Sequence, residues 1–129
     1  MDKTVSARLK ATFLAGCIAA GIFGILYVAV PEAYQNLIGV PIKQPTETAA
    51  FRELGAALLA LAYAGWLGSR ETAADKVMIA TKMVIAWMVL GAIVMLWCLF
   101  SSVLPAIYWL YFVLFAGFAI AFSAFYPRG

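Results

Sequence analysis

The amino-acid sequence predicts an all-α integral membrane protein. It is expected to be a four-helix transmembrane bundle, N-in/C-in, with a short interfacial element between helices 1 and 2. Three observations lead there. Of the 129 residues, 66% are hydrophobic and 12% charged, with a mean hydropathy of +0.98, whereas soluble domains carry roughly 25% charged residues. Four apolar runs each approach or exceed the roughly 20 residues that carry a helix across a bilayer. The cations are unevenly shared between the two ends of those runs. Lys3, Arg8, Lys10, Arg70, Lys76, Lys82 and Arg128 fall on one side, and only Lys43 and Arg52 on the other. Lysine and arginine concentrate in cytoplasmic loops, so both termini are expected to be cytoplasmic.

The length suits one domain, residues 1–129. A basic arm, residues 1–10, leads into helix 1 at about residues 9–30. That run is longer than the about 7–15 apolar residues of a signal peptide, so it is expected to be retained. Pro31 ends it. The connection PEAYQNLIGVPIKQP predicts a short surface helix, with Ala33, Leu37 and Ile38 on one face, Tyr34 at the interface and Gly39 closing it. Thr46 or Thr48 is then placed to cap helix 2, at about residues 49–67. Gly68 is placed to stop it. Thr72 and Asp75 have the spacing of an N-cap motif for helix 3, at about residues 73–100. Pro105 suits the first turn of helix 4, at about residues 106–126.

The central stretch is FRELGAALLALAYAGWLG, residues 51–68. Ala56, Ala60, Ala64 and Gly68 recur at four-residue spacing, as do Gly16, Ala20 and Gly24 in helix 1. Small residues let helices approach closely in lipid, so these two faces are expected to dock. The phenylalanines Phe112, Phe115, Phe118, Phe122 and Phe125 read as a packing or lipid-facing stripe. Cys17 and Cys98 are expected at different depths, which argues against a disulfide.

A candidate site lies at the outer end, with Arg52, Glu53 and Glu32, and with Glu47 near it. An ionisable group in a spanning helix normally has a partner. A Glu32–Arg52 pair would join helices 1 and 2. Alternatively, the planar guanidinium of Arg52 would hold a carboxylate or phosphate. Lys82 sits about two turns into helix 3, where its long stem can reach the headgroups.

Several classes are excluded by what the chain lacks. It has no histidine, which removes haem b ligation and the commonest general base. It has no Cys-x-x-Cys pair, no glutamate in helix 1 and no serine or threonine beside an evident base. No catalytic residues, metal or cofactor are therefore expected, and no basic face marks nucleic acid as a partner.

The segments VAVPEAYQNLIGVP and FRELGAALLALAYAGWLGSR, within residues 24–70, resemble the DoxX-like group of small four-helix bacterial membrane proteins. Members tend to open the second helix on an aromatic–arginine step followed by a glycine, here Phe51, Arg52 and Gly55. The resemblance implies four helices with both ends inside, and it implies little about activity. The sequence reading is thus a small polytopic protein of the inner (plasma) membrane of a bacterium or archaeon. Its expected role is a non-catalytic accessory subunit or scaffold, its partners the lipid bilayer and other membrane subunits or further copies of itself. The alternative is a lipid, quinone or small-molecule binder or transporter using an outer pocket near Arg52.

Overall fold

The computed structural model describes residues 4–101 and 104–127. Lys3 and Arg128, counted above for orientation, lie outside them. The described chain is all-α. Its helices are α1 (Ala7–Ala29), α2 (Pro31–Leu37), α3 (Pro45–Arg70), α4 (Ala74–Ser101) and α5 (Ile107–Ala124). Four of them, α1, α3, α4 and α5, are long and apolar enough to cross a membrane. Their large apolar side chains lie widely exposed, Trp97 at 73% and Phe100 at 77% among them. Apolar surface on that scale suits a lipid solvent. Cys17 and Cys98 are free thiols.

The helix ends follow local chemistry. Ser6 starts α1: its Oγ accepts the Leu9 N–H at 3.1 Å, the bond expected of an N-cap. The helix stops at Ala29, and Pro31 opens α2 instead of merely ending α1. Proline suits a first helical position, where no intrahelical N–H bond is lost. The same logic moves the start of α3 to Pro45, ahead of the expected threonine caps. There the Glu47 carboxylate accepts the Lys43 N–H at 3.0 Å. Gly39 closes α2 as expected, with φ of 84°, the left-handed geometry that glycine adopts without strain.

The chain divides into two compact units. The first comprises the residues up to Phe13 and those from Gly68 onward; the second is Leu14–Leu67. In the first, residues 4 and 5, ahead of α1, are tied to the turn before α4. Thr4 forms an antiparallel bridge with Ala73, and the Val5 N–H donates to the Thr72 carbonyl at 2.9 Å. Val5, just ahead of α1, and Leu9 and Phe13, one helical turn apart on it, build a core with Ala74, Val77 and Phe122. The rings of Phe13 and Phe122 meet edge-to-face at 5.0 Å. Gly68 does not stop α3, which runs on to Arg70. It is buried, and a Cβ there would lie 2.8 Å from the Phe13 ring. On α5, Phe115 and Phe122 are packing residues, Phe115 lying edge-on to Trp87 at 5.5 Å.

The turn before α4 is organised by Glu71, not by the Thr72–Asp75 spacing. Its carboxylate accepts the Ala73 N–H at 3.0 Å and the Thr72 N–H at 2.9 Å. Lys76 lies 3.9 Å away. The Ala73 and Thr72 N–H groups hold this carboxyl below its ordinary value of 4.5 against the opposing effect of burial, with lesser help from Lys76 and Lys10. A depressed folded-state value stabilises the fold at pH above the ordinary value, and that stability is lost as pH falls through the folded value. Acid titration of the thermal midpoint in detergent is therefore expected to show a decline beginning below about pH 4.5. Glu71→Gln should lower the midpoint at pH 7 and flatten that part of the profile. An unchanged profile in the variant would remove Glu71 from the account.

In the second unit, α1 and α3 cross at Gly24 and Gly55. A Cβ on Gly55 would lie 2.8 Å from the Gly24 carbonyl oxygen, and one on Gly24 would lie 3.1 Å from the Gly55 carbonyl oxygen. The two backbones therefore touch with nothing between them. Beside the crossing, Tyr27 stacks on Phe51, ring centroids 5.5 Å apart and planes 6° from parallel. Tyr34 of α2 meets Tyr27 edge-on at 5.4 Å. The face of α2 buried in the protein is thus Pro31, Tyr34 and Gln35, and the face expected to hold Ala33, Leu37 and Ile38 is turned away from it: Ala33 is exposed and Leu37 is 83% exposed. The aromatic contact to Tyr27 draws Tyr34 inward and turns the aliphatic residues out.

Candidate functional site

The site is built on the first two turns of α3. Pro45, Thr48, Ala49, Arg52 and Glu53 share one stripe, since residues three and four apart lie on one helical face. The anchor is the neighbouring face. Phe51 stacks on Tyr27 and Gly55 abuts Gly24, so Phe51 and Gly55 take the inner side of the helix. Arg52 and Glu53 are consequently turned outward, and both are exposed. A loop from Ile42 to Gln44 and Glu32 of α2 complete the walls. Together these residues line an open pocket of about 740 Å³. Binding clefts for small molecules typically enclose about 300–1,000 Å³.

Arg52, Glu53 and Glu32, singled out from the sequence, all line this pocket. The expected Glu32–Arg52 ion pair is not formed: among the described residues, the side chains of Arg52 and Glu53 make no hydrogen bond or ion pair. Glu32 instead accepts a long bond from the Thr48 hydroxyl, at 3.4 Å through Oε1. Glu47 does not line the pocket. Its carboxylate is spent on the Lys43 N–H, near the positive end of the α3 dipole. Lys43 itself is a wall residue that sequence reasoning had counted only for orientation. The pocket therefore holds two cations, Arg52 and Lys43, and two anions, Glu32 and Glu53.

The packing residues are placed differently from one another. Gly24 is at the α1–α3 crossing and Gly68 is under the Phe13 ring. Gly16 and Ala20 are half-buried. Ala56, Ala60 and Ala64 are exposed and do not form the crossing. A strict four-residue spacing drifts about 40° per step around a helix with 3.6 residues per turn. The inner face of α3 instead passes through Gly55 and Ala62, whose seven-residue spacing nearly returns to the same direction. Ala62 is buried, and a Cβ on Gly21 would lie 3.9 Å from its Cβ.

Gln35 also escaped the sequence reading. It is 1% exposed, and neither side-chain amide atom has a hydrogen-bond partner among the described residues. Its position four residues before the αL glycine gave no signal, because the sequence pattern of so short a helix fits more than one buried face. In the first third of α4, Lys82 lies 5.9 Å over the Tyr126 ring.

No family model, curated protein or solved structure matches the chain. What is established is an all-α protein with four candidate membrane spans and a charged pocket beside one of them.

Proposed function

We propose that this protein is a non-catalytic membrane protein that binds the charged headgroup of a lipid-like amphiphile in the pocket around Arg52. On this reading the chain crosses the inner (plasma) membrane four times as a bundle, with both termini cytoplasmic and α2 lying at the outer interface. The distribution of lysine and arginine supports that orientation. The resemblance of residues 24–70 to the DoxX-like group agrees with it, and membership of that group is part of the proposal. One observation carries the binding role. Arg52 opens into a cavity of about 740 Å³ and makes no ion pair among the described residues. An arginine near the lipid boundary normally finds a partner, and a guanidinium is a forked donor for carboxylate or phosphate.

The test is native mass spectrometry of the protein extracted gently from its own membrane. A lipid-sized adduct is expected on the wild type. Arg52→Gln is expected to reduce its occupancy by about tenfold while leaving the thermal midpoint nearly unchanged, since exposed side chains without partners contribute little to stability. Equal occupancy in the variant would overturn the reading.

A second reading, an accessory subunit or scaffold, rests on the exposed alanines Ala56, Ala60 and Ala64. Such a stripe permits close approach by a further helix, from another subunit or another copy. Larger subunits released with the protein in the same experiment, and lost on Ala60→Leu, would establish that role.

A further inference from the structure

We infer that the pocket selects a dipolar headgroup, one that carries both an anionic oxygen group and a primary ammonium, over a purely anionic one. The inference rests on the proposed headgroup-binding role of the same pocket and adds the chemical class of the ligand. Four charged side chains line the cavity, and they sum to zero: Arg52 and Lys43 against Glu32 and Glu53. Sharing one cavity, these opposite charges nevertheless form no ion pair with one another among the described residues. Their hydrogen-bonding capacity is therefore open to a ligand of the opposite pattern.

The groups differ in what they can offer. The Arg52 guanidinium presents N–H donors in a planar fork and accepts nothing, which suits a phosphate or carboxylate. Glu32 has one oxygen engaged at long range by Thr48, and its other oxygen has no partner among the described residues. Glu53 has neither oxygen bonded. Ionised carboxylates are acceptors only. They would take the N–H donors of a primary ammonium and gain nothing comparable from a quaternary one, which has no N–H. A ligand with a single negative charge would satisfy Arg52 but leave the pocket with a net negative charge, because Lys43 can offset only one of the two carboxylates, and like charges at close range repel. Thr48, which holds Glu32, and Arg52 lie four helical residues apart, about 6 Å at 1.5 Å per residue. That length gives separate places to the two poles of one headgroup. The required chemistry is shared by phosphatidylethanolamine in a membrane and by free phosphoethanolamine in solution.

The experiment titrates the detergent-purified full chain, followed by native mass spectrometry. The probes are phosphatidylethanolamine, phosphatidylcholine and phosphatidylglycerol of identical acyl chains. Phosphatidylethanolamine is expected to bind about tenfold more tightly than either of the others, the gain of one or two charge-assisted hydrogen bonds. Glu32→Gln combined with Glu53→Gln is expected to erase that preference while phosphatidylglycerol binds at least as well as before. Phosphatidylglycerol equalling or exceeding phosphatidylethanolamine on the wild type would overturn the dipolar selectivity, and this outcome needs no variant to fold. It would leave the headgroup role standing. Binding of all three lipids unaltered by Arg52→Gln would overturn both. Displacement of the bound lipid by millimolar phosphoethanolamine would support the selectivity with the free headgroup as ligand. Tight ethanolamine-lipid binding that resists such displacement would support it with the intact lipid as ligand.

Discussion

Gly55→Val is expected to lower stability by about 3 kcal/mol or more, at the severe end of overpacking. The reason is what a Cβ at residue 55 would meet. It would lie 2.7 Å from Val28 Cγ2, 2.8 Å from the Gly24 carbonyl oxygen and 2.9 Å from Tyr27 Cβ. A flexible side chain could swing aside, but a carbonyl oxygen inside a helix and a Cβ cannot move without moving α1. The crossing would have to open. In lipid, helix association relies on close packing and not on exclusion of water, so an opened crossing loses most of what holds it. Tyr27 would also shift, and with it the stacked Phe51 that sets the direction of Arg52. Gly55→Val is thus expected to weaken headgroup binding as well as the fold. Gly21→Ala is the matched control on the same helix pair. Its new Cβ would sit 3.9 Å from the Ala62 Cβ, an ordinary contact, and no comparable loss is expected. Thermal midpoints in detergent, read by circular dichroism, separate the two. Similar midpoints for both variants would rule out the Gly24–Gly55 crossing.

Much of this fold was legible in the sequence, and the reasons differ from element to element. The four long helices were legible because lipid demands a run of apolar residues, and no soluble element imitates such a run at that length. Their ends were less so. Ser6, Pro45 and Glu71 define three of them through one or two hydrogen bonds or a missing one, and a sequence offers several candidate caps for each. The pairing of Val5 with Thr72 was invisible, because it joins residues far apart in the chain by backbone groups that every sequence has. The helix-packing face was partly misread. Alanines at four-residue spacing looked like a ladder, while the true contact on α3 passes through Gly55 and Ala62. Gly55 had entered only through the family resemblance. The candidate site was found through a different rule: a cation inside an apolar helix is costly and invites a partner. That rule pointed to Arg52, Glu53 and Glu32, which do line one pocket. It could not foresee that the charges would stay unpaired, since pairing depends on the angle at which α2 leaves α1. Nor could it supply Lys43, whose place in the wall depends on the path of the loop before Pro45.

Gly91→Ala should destabilise the α4–α5 contact by about 1–3 kcal/mol, even though alanine is the better helix former. A Cβ at residue 91 would lie 2.6 Å from Phe115 Cδ1 and 2.7 Å from its Cε1. The ring has limited freedom to retreat, because the Trp87 ring lies edge-on to it at 5.5 Å. In the absence of this clash, replacing a mid-helix glycine with alanine would gain roughly 0.5–1 kcal/mol. Gly117→Ala on α5 shows that gain in isolation, since a Cβ there meets nothing within 4 Å, and it is expected to be neutral or stabilising. The sign of the effect at Gly91 therefore reports on one ring. Phe115→Leu removes the ring edge, so Gly91→Ala should cost much less in that background than in the wild type. The coupling energy from the double-mutant cycle is expected to fall within about 0.5–3 kcal/mol. Additive effects would mean that Gly91 and Phe115 do not touch, and the packing of α4 on α5 would need a different register.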